Sequence, residues 1–98
     1  MNATTHLVHP GVILLEEFMQ PLGVTPYRLA KEIGVDKARI YTITSGRRDI
    51  TPETAARLAR YFGTSEAFWV NLQSRYDLSR VHTEKQAALN SIRPLQAA

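Results

Sequence analysis

The chain has no cysteine in its 98 residues, which excludes a disulfide framework, a thiolate metal site and a thiol nucleophile. No apolar run approaches the roughly 18 residues that a membrane-crossing helix needs. The opening MNATTHLVHPG lacks both a basic region and an apolar core of the secretory kind, so cytoplasmic residence is expected. There is no Gly-Lys pair and hence no GxxxxGK phosphate loop, and no serine stands in a G-x-S-x-G elbow. The histidines, His6, His9 and His82, form no His-x-x-x-His pair. His6 and His9 lie in or beside a flexible start and read as solvated tail residues. Glu16, Glu17 and Glu53 read as isolated carboxylates on exposed faces. These absences argue against an enzyme, and no cofactor or metal is expected. Period-two alternation and Asn-Gly or Asp-Gly hairpin turns are also missing, so an all-α chain is expected.

The charge that is present is unevenly placed. Lys and Arg total 12 against 9 Asp and Glu, a net +3, which alone says little. Residues 28–48, however, hold Arg28, Lys31, Lys37, Arg39, Arg47 and Arg48 against only Glu32 and Asp36, so 6 − 2 = +4 exceeds the surplus of the whole chain. Concentrated basicity of this kind is the footprint of a nucleic-acid partner.

The same window carries the clearest structural signals. Thr25 as N-cap, Pro26 at the first helical position and Gly34 just past the end delimit one short helix. Asp36 as N-cap and Gly46 as stop delimit a second. Leu29, Ala30 and Ile33 share a face of the first, and Ile40 and Ile43 share a face of the second, with Val35 in the turn. Ala30 is small where two helices must cross closely, and a tight turn at Gly34 favours the positive φ open to glycine. Two helices joined by a short turn containing Gly form a helix-turn-helix.

Helices are expected around this pair. The first runs from about Pro10 to Met19 or Gln20, with Val12, Leu15, Phe18 and Met19 inward, and Pro21 prevents its continuation. A fourth opens at Thr51-Pro52, turns Ala55, Leu58, Ala59 and Phe62 inward and stops at Gly63. A fifth runs from Ser65 to Leu78 or Arg80. Residues 83–92 form another helix or a frayed tail. The expected organisation is an arm at 1–9, one domain at 10–80 that includes a dimerisation helix at 65–80, and a tail at 81–98.

Geometry assigns roles. The N-terminal residues of the second helix of such a motif face base edges, which gives Lys37, Ala38, Arg39 and Thr42 as readers. Lys37 suits guanine O6 or N7, while Ala38 and the Thr42 methyl suit a thymine methyl. Arg39 reaches a base or a phosphate. On an isolated helix these residues would be a solvated face, but behind the turn and within the basic window they read as contacts. Phosphate contacts are expected from Tyr27 and Arg28 at the start of the first helix, from Tyr41, from Ser45, Arg47 and Arg48 after the second, and from Thr51. In the fifth helix Phe68, Leu72 and Tyr76 recur at i, i+4 and i+8, with Trp69 and Val70 beside them, more apolar surface than one domain buries. Phe68 is assigned to the core, and Trp69, Leu72, Gln73 and Tyr76 to an interface with a second copy.

Five helices with the second and third as reader resemble the lambda-repressor-like domain. The stretches HPGVILLEEFMQPLG, PYRLAKEIGV, SGRRDITPETAARLARYFGTS and FWVNLQSRYDL, with Ile92-Arg93-Pro94 in the tail, resemble the HigA-type antitoxins of type II toxin–antitoxin modules, a likeness covering about residues 9–94. The resemblance implies a homodimer that represses its own operon from a palindromic double-stranded operator and neutralises a RelE-like messenger-RNA-cleaving toxin. A stand-alone repressor with the same reader is the alternative. The toxin would bind residues 1–20 or 82–98, and Glu16 and Glu17 incline the choice to the former.

Overall fold

The computed structural model describes residues 7–96, so the expectations placed on His6 and the rest of residues 1–6 lie outside it. The described chain is entirely helical: α1 (Pro10–Ile13) runs straight into a π-helical turn (Leu14–Met19), followed by α2 (Pro26–Ile33), α3 (Lys37–Thr44), α4 (Pro52–Phe62), α5 (Glu66–Glu84) and α6 (Gln86–Asn90). This is the expected lambda-repressor-like frame with a short sixth helix.

The Thr and Ser caps act as the sequence predicts, whereas Asp36, the expected N-cap of α3, stands at the cap position but makes no side-chain cap hydrogen bond. Thr25 Oγ1 accepts from the Arg28 N–H at 3.1 Å, Thr51 Oγ1 from Thr54 at 3.3 Å and Ser65 Oγ from Phe68 at 3.0 Å. Gly34 and Gly63 end α2 and α4 with φ 77° and 74°. At Gly34 the amides of Gly34 and Val35 both donate to the Ala30 carbonyl, each at 2.9 Å, which closes the helix and aims the chain into α3.

Leu14, Met19, Leu29, Ile40, Ile43, Ala55, Leu58 and Trp69 are sealed from solvent and form the core with Val24, Ala30, Ile33, Ile50 and Ala59. Val12 and Leu15, expected to line it, are only half-buried, and Leu14 is fully buried instead. The π turn is the reason. Its wider winding puts Leu14 and Met19, five residues apart, on one face, and the Gln20 amide reaches back five residues to Leu15.

Three further expectations change. α5 continues to Glu84, so the proposed boundary at residue 80 falls inside a helix. Neither Gly nor Pro stands between residues 64 and 93 to stop it, and Ser79 and Arg80 bond to Thr83 and Glu84 across the expected end. Trp69 and Gln73, assigned to an interface, are interior. Trp69 is 0 % exposed and its Nε1–H donates to Thr64 Oγ1 at 2.8 Å; Gln73 Oε1 accepts from the buried Ile50 N–H at 2.8 Å. Both polar groups are spent within the chain. Phe68, assigned to the core, is instead partly exposed and packs against the Phe18 and Trp69 rings at the edge of the aromatic cluster.

Candidate nucleic-acid interface

α3 is divided lengthwise. Ile40 and Ile43 are buried, while Lys37, Ala38, Tyr41 and Ser45 are exposed and Thr42 is half-buried. At about 100° per residue, positions 37, 38, 41, 42 and 45 span an arc of roughly 140°, with the two isoleucines on the opposite side. The expected readers Lys37, Ala38 and Thr42 are thus brought together on one face, with Tyr41 inside that arc. The Lys37 side chain makes no hydrogen bond or ion pair among the described residues. The Thr42 hydroxyl donates to its own helix, lying 2.8 Å from the Ala38 carbonyl and 3.1 Å from that of Arg39, which leaves its methyl as the contact group.

Arg39 departs from this face. Its guanidinium reaches α4, 3.4 Å from Thr54 Oγ1 and 3.6 Å from Glu53. Glu53 also receives Arg57 at 3.0 Å, and Arg57 Nη1 donates to the Ile33 carbonyl at 2.7 Å. Glu53 is therefore not the isolated carboxylate expected. It joins α3 to α4 through Arg39, and Arg57 ties α4 to the end of α2. The bonds with Arg57 first, and then Arg39, hold the Glu53 carboxyl below the usual range. The i, i+4 spacing of Glu53 and Arg57 was the available sequence signal; the reach of Arg57 to α2 left none.

Around this face of α3 stand the residues expected to contact phosphate. Tyr27 is exposed on the first turn of α2. Arg28 pairs with Glu32 at 3.3 Å, an exposed pair of small worth. Glu32 also accepts from the Tyr61 hydroxyl, and this bond before that of Arg28 lowers its carboxyl while raising the Tyr61 phenol. After α3, the Arg47 and Arg48 amides converge on the Thr42 carbonyl at 2.9 and 3.1 Å, and Arg47 Nε donates to Ser45 Oγ at 3.0 Å. The Arg48 side chain has no partner among the described residues. The Thr51 hydroxyl is occupied in capping α4, so only the backbone N–H groups of that helix end remain for an anion there.

Behind this surface lies a contact absent from the sequence reading. His9, expected in a solvated arm, is buried. Its Nδ1 accepts from the Gly11 N–H at 2.9 Å and caps α1, and its ring meets Tyr76 edge-on at 5.0 Å. Burial follows from the tight seating of α1: a Cβ on Gly11 would lie 2.6 Å from the Ile43 carbonyl carbon. The sequence HPG thus caps, starts and docks α1 on the end of α3.

Comparison with known proteins agrees with this geometry. The helix-turn-helix family (HTH_3) matches residues 15–69. The chain is similar to virulence-associated protein I of Dichelobacter nodosus, with 44 % identity over 90 % of this chain and 81 % of that one. Among solved structures it resembles PA4674 of Pseudomonas aeruginosa in complex with its 18-base-pair operator DNA, with TM-score 0.89 and 36 % identity over 95 % of this chain and 99 % of that one. It also resembles the P. aeruginosa antitoxin HigA with the higBA promoter, with TM-score 0.88 and 36 % identity over 93 % and 100 %.

Proposed function

The chain belongs to the helix-turn-helix family, and we propose that it is a HigA-type antitoxin that represses its own operon in the cytoplasm. The observation that carries this reading is the division of α3, with Ile40 and Ile43 sealed in the core and Lys37, Ala38, Tyr41 and Thr42 arrayed opposite them. α3 enters the major groove and these four side chains meet base edges. Arg28, Arg47 and Arg48, the hydroxyls of Tyr27 and Ser45 and the α4 N-terminus take phosphates. Arg39 braces α3 against α4. That similar proteins have been solved on operator DNA supports the choice of ligand.

The active form is a homodimer on a palindrome, because two-fold symmetry presents two reading helices one helical turn, about 34 Å, apart. With Trp69 and Gln73 interior, its surface on α5 consists of exposed Val70, Leu78 and Val81 with half-buried Leu72 and Tyr76. A RelE-like toxin is the second partner, docking on the N-terminal side, residues 1–20, where Leu7, Val8, Glu16 and Glu17 are exposed. A gel shift on the chain's own promoter, with copurification of the neighbouring gene product, tests both parts. A shift without a copurifying toxin leaves a stand-alone repressor. No salt-sensitive shift overturns the DNA reading.

A further inference from the structure

The imidazole of His9 is nearly sealed from solvent, and its nitrogens are used unequally. Nδ1 accepts from Gly11, so the neutral ring carries its proton on Nε2. Nε2 is buried without a hydrogen-bond partner and lies 3.7 Å from Asp49 Oδ1. The loop that follows α3 is wrapped around this ring. A Cβ on Gly46 would lie 3.8 Å from His9 Cγ, and Asp49 closes the other end. Between those two contacts stand Arg47 and Arg48.

Asp49 is the loop's only carboxylate, and its side chain is 63 % exposed. Unrestrained, it lies within reach of its arginine neighbours and would cancel charge that an operator phosphate uses. A buried, unpaired N–H draws a carboxylate strongly, because leaving that donor unmet is costly. We propose that His9 is a positioning residue for operator binding: its buried Nε2–H, 3.7 Å from Asp49 Oδ1 and short of a hydrogen bond, draws the carboxylate toward the α5 side of the loop and keeps it from pairing with Arg47 and Arg48. The field of Asp49 is felt on that side. Arg80 of α5, which lies over the Tyr76 ring, is raised in pKa chiefly by Glu84, and Asp49 adds to the effect.

This inference rests on the operator reading, and its test separates the two. The probe is a labelled duplex of the chain's own promoter, titrated by fluorescence anisotropy across a salt series. H9N preserves a side chain able to cap α1 but is too short to reach Asp49. H9N is expected to weaken binding roughly three- to tenfold and to make the log–log salt slope less negative by about one, the loss of one phosphate contact. H9N/D49N should restore both. H9N with wild-type affinity and slope, or a loss that D49N does not rescue, overturns the proposal. Should H9N lose its cooperative melt, D49N alone decides. Its affinity should stay within about twofold of wild type, whereas tighter binding with a slope steeper by about one would mean that Asp49 already pairs with the arginines. A wild-type chain that fails to bind the duplex refutes the operator reading itself.

Discussion

Gly11 and Ile43 touch backbone to backbone: a methyl group on the glycine would occupy the space of the isoleucine carbonyl. α1 thereby rests directly on the last turn of α3. The substitution G11A must push the two apart, and backbone has no alternative rotamer to adopt. We expect it to cost about 1–3 kcal/mol or more and to weaken operator binding with it. Gly63, with φ 74° and nothing near its Cβ position, is the control; G63A should cost only about 1–2 kcal/mol of backbone strain. Urea melts of both variants check the ranking, and equal costs would contradict the close contact.

Lys37 and Thr42 sit on the exposed arc of α3, so changing them should alter recognition and not folding. K37A is expected to weaken binding by about 1–3 kcal/mol and relax the preference for one base pair. Because the Thr42 hydroxyl is bound to its own helix, T42V should bind the operator as wild type does, and T42S, which lacks the methyl, should not. Affinities on operators substituted at each base pair would reveal the opposite order if the hydroxyl is the reader.

The Arg48 side chain is unpaired among the described residues and follows α3 at its edge. R48A should weaken binding about equally on every sequence and reduce the salt slope by about one. A loss confined to one base pair would instead make Arg48 a reader.

Val70 and Val81 lie eleven residues apart on α5, close to three turns, and both are partly exposed. V70D/V81D is expected to turn the proposed dimer into a folded monomer by light scattering and to abolish binding to a palindromic operator. Q73L should behave differently. It leaves the Ile50 N–H buried and unmet, costing about 1–3 kcal/mol of stability, with no direct effect on the dimer.

Glu32 and Glu53 both have carboxyls held below their ordinary value of 4.5. Their contribution to stability is complete above that value and fades as pH falls through the lower folded-state values. Thermal melts should therefore lose stability below about pH 4.5, and Y61F, which removes the leading bond to Glu32, should shrink that loss. An unchanged acid limb in Y61F would refute the assignment.

What was legible in the sequence is what local chemistry specifies. Thr25-Pro26, Thr51-Pro52, Gly34 and Gly63 set helix ends because cap and backbone preferences act within a few residues. The core residues of α2 and α3 followed from fixed offsets. What escaped was set by the fold at longer range. His9 is buried through α1's seat against Ile43, Gln73 through a bond across 23 positions to Ile50, and Arg39 through a bond to Thr54. The π turn escaped for a different reason: its spacing breaks the 3.6-residue rule by which Leu14 would have been recognised.

The lengthwise division of α3 has a consequence for how such a protein changes over time. Its stability rests on Ile40 and Ile43, while in the proposed operator reading discrimination among operators rests on Lys37, Ala38, Tyr41 and Thr42. Substitutions on the outer face can retarget the chain to another operator with little thermodynamic penalty. Duplicated copies in one cell would then drift apart in DNA preference while keeping one scaffold, each insulated from the promoter of the other.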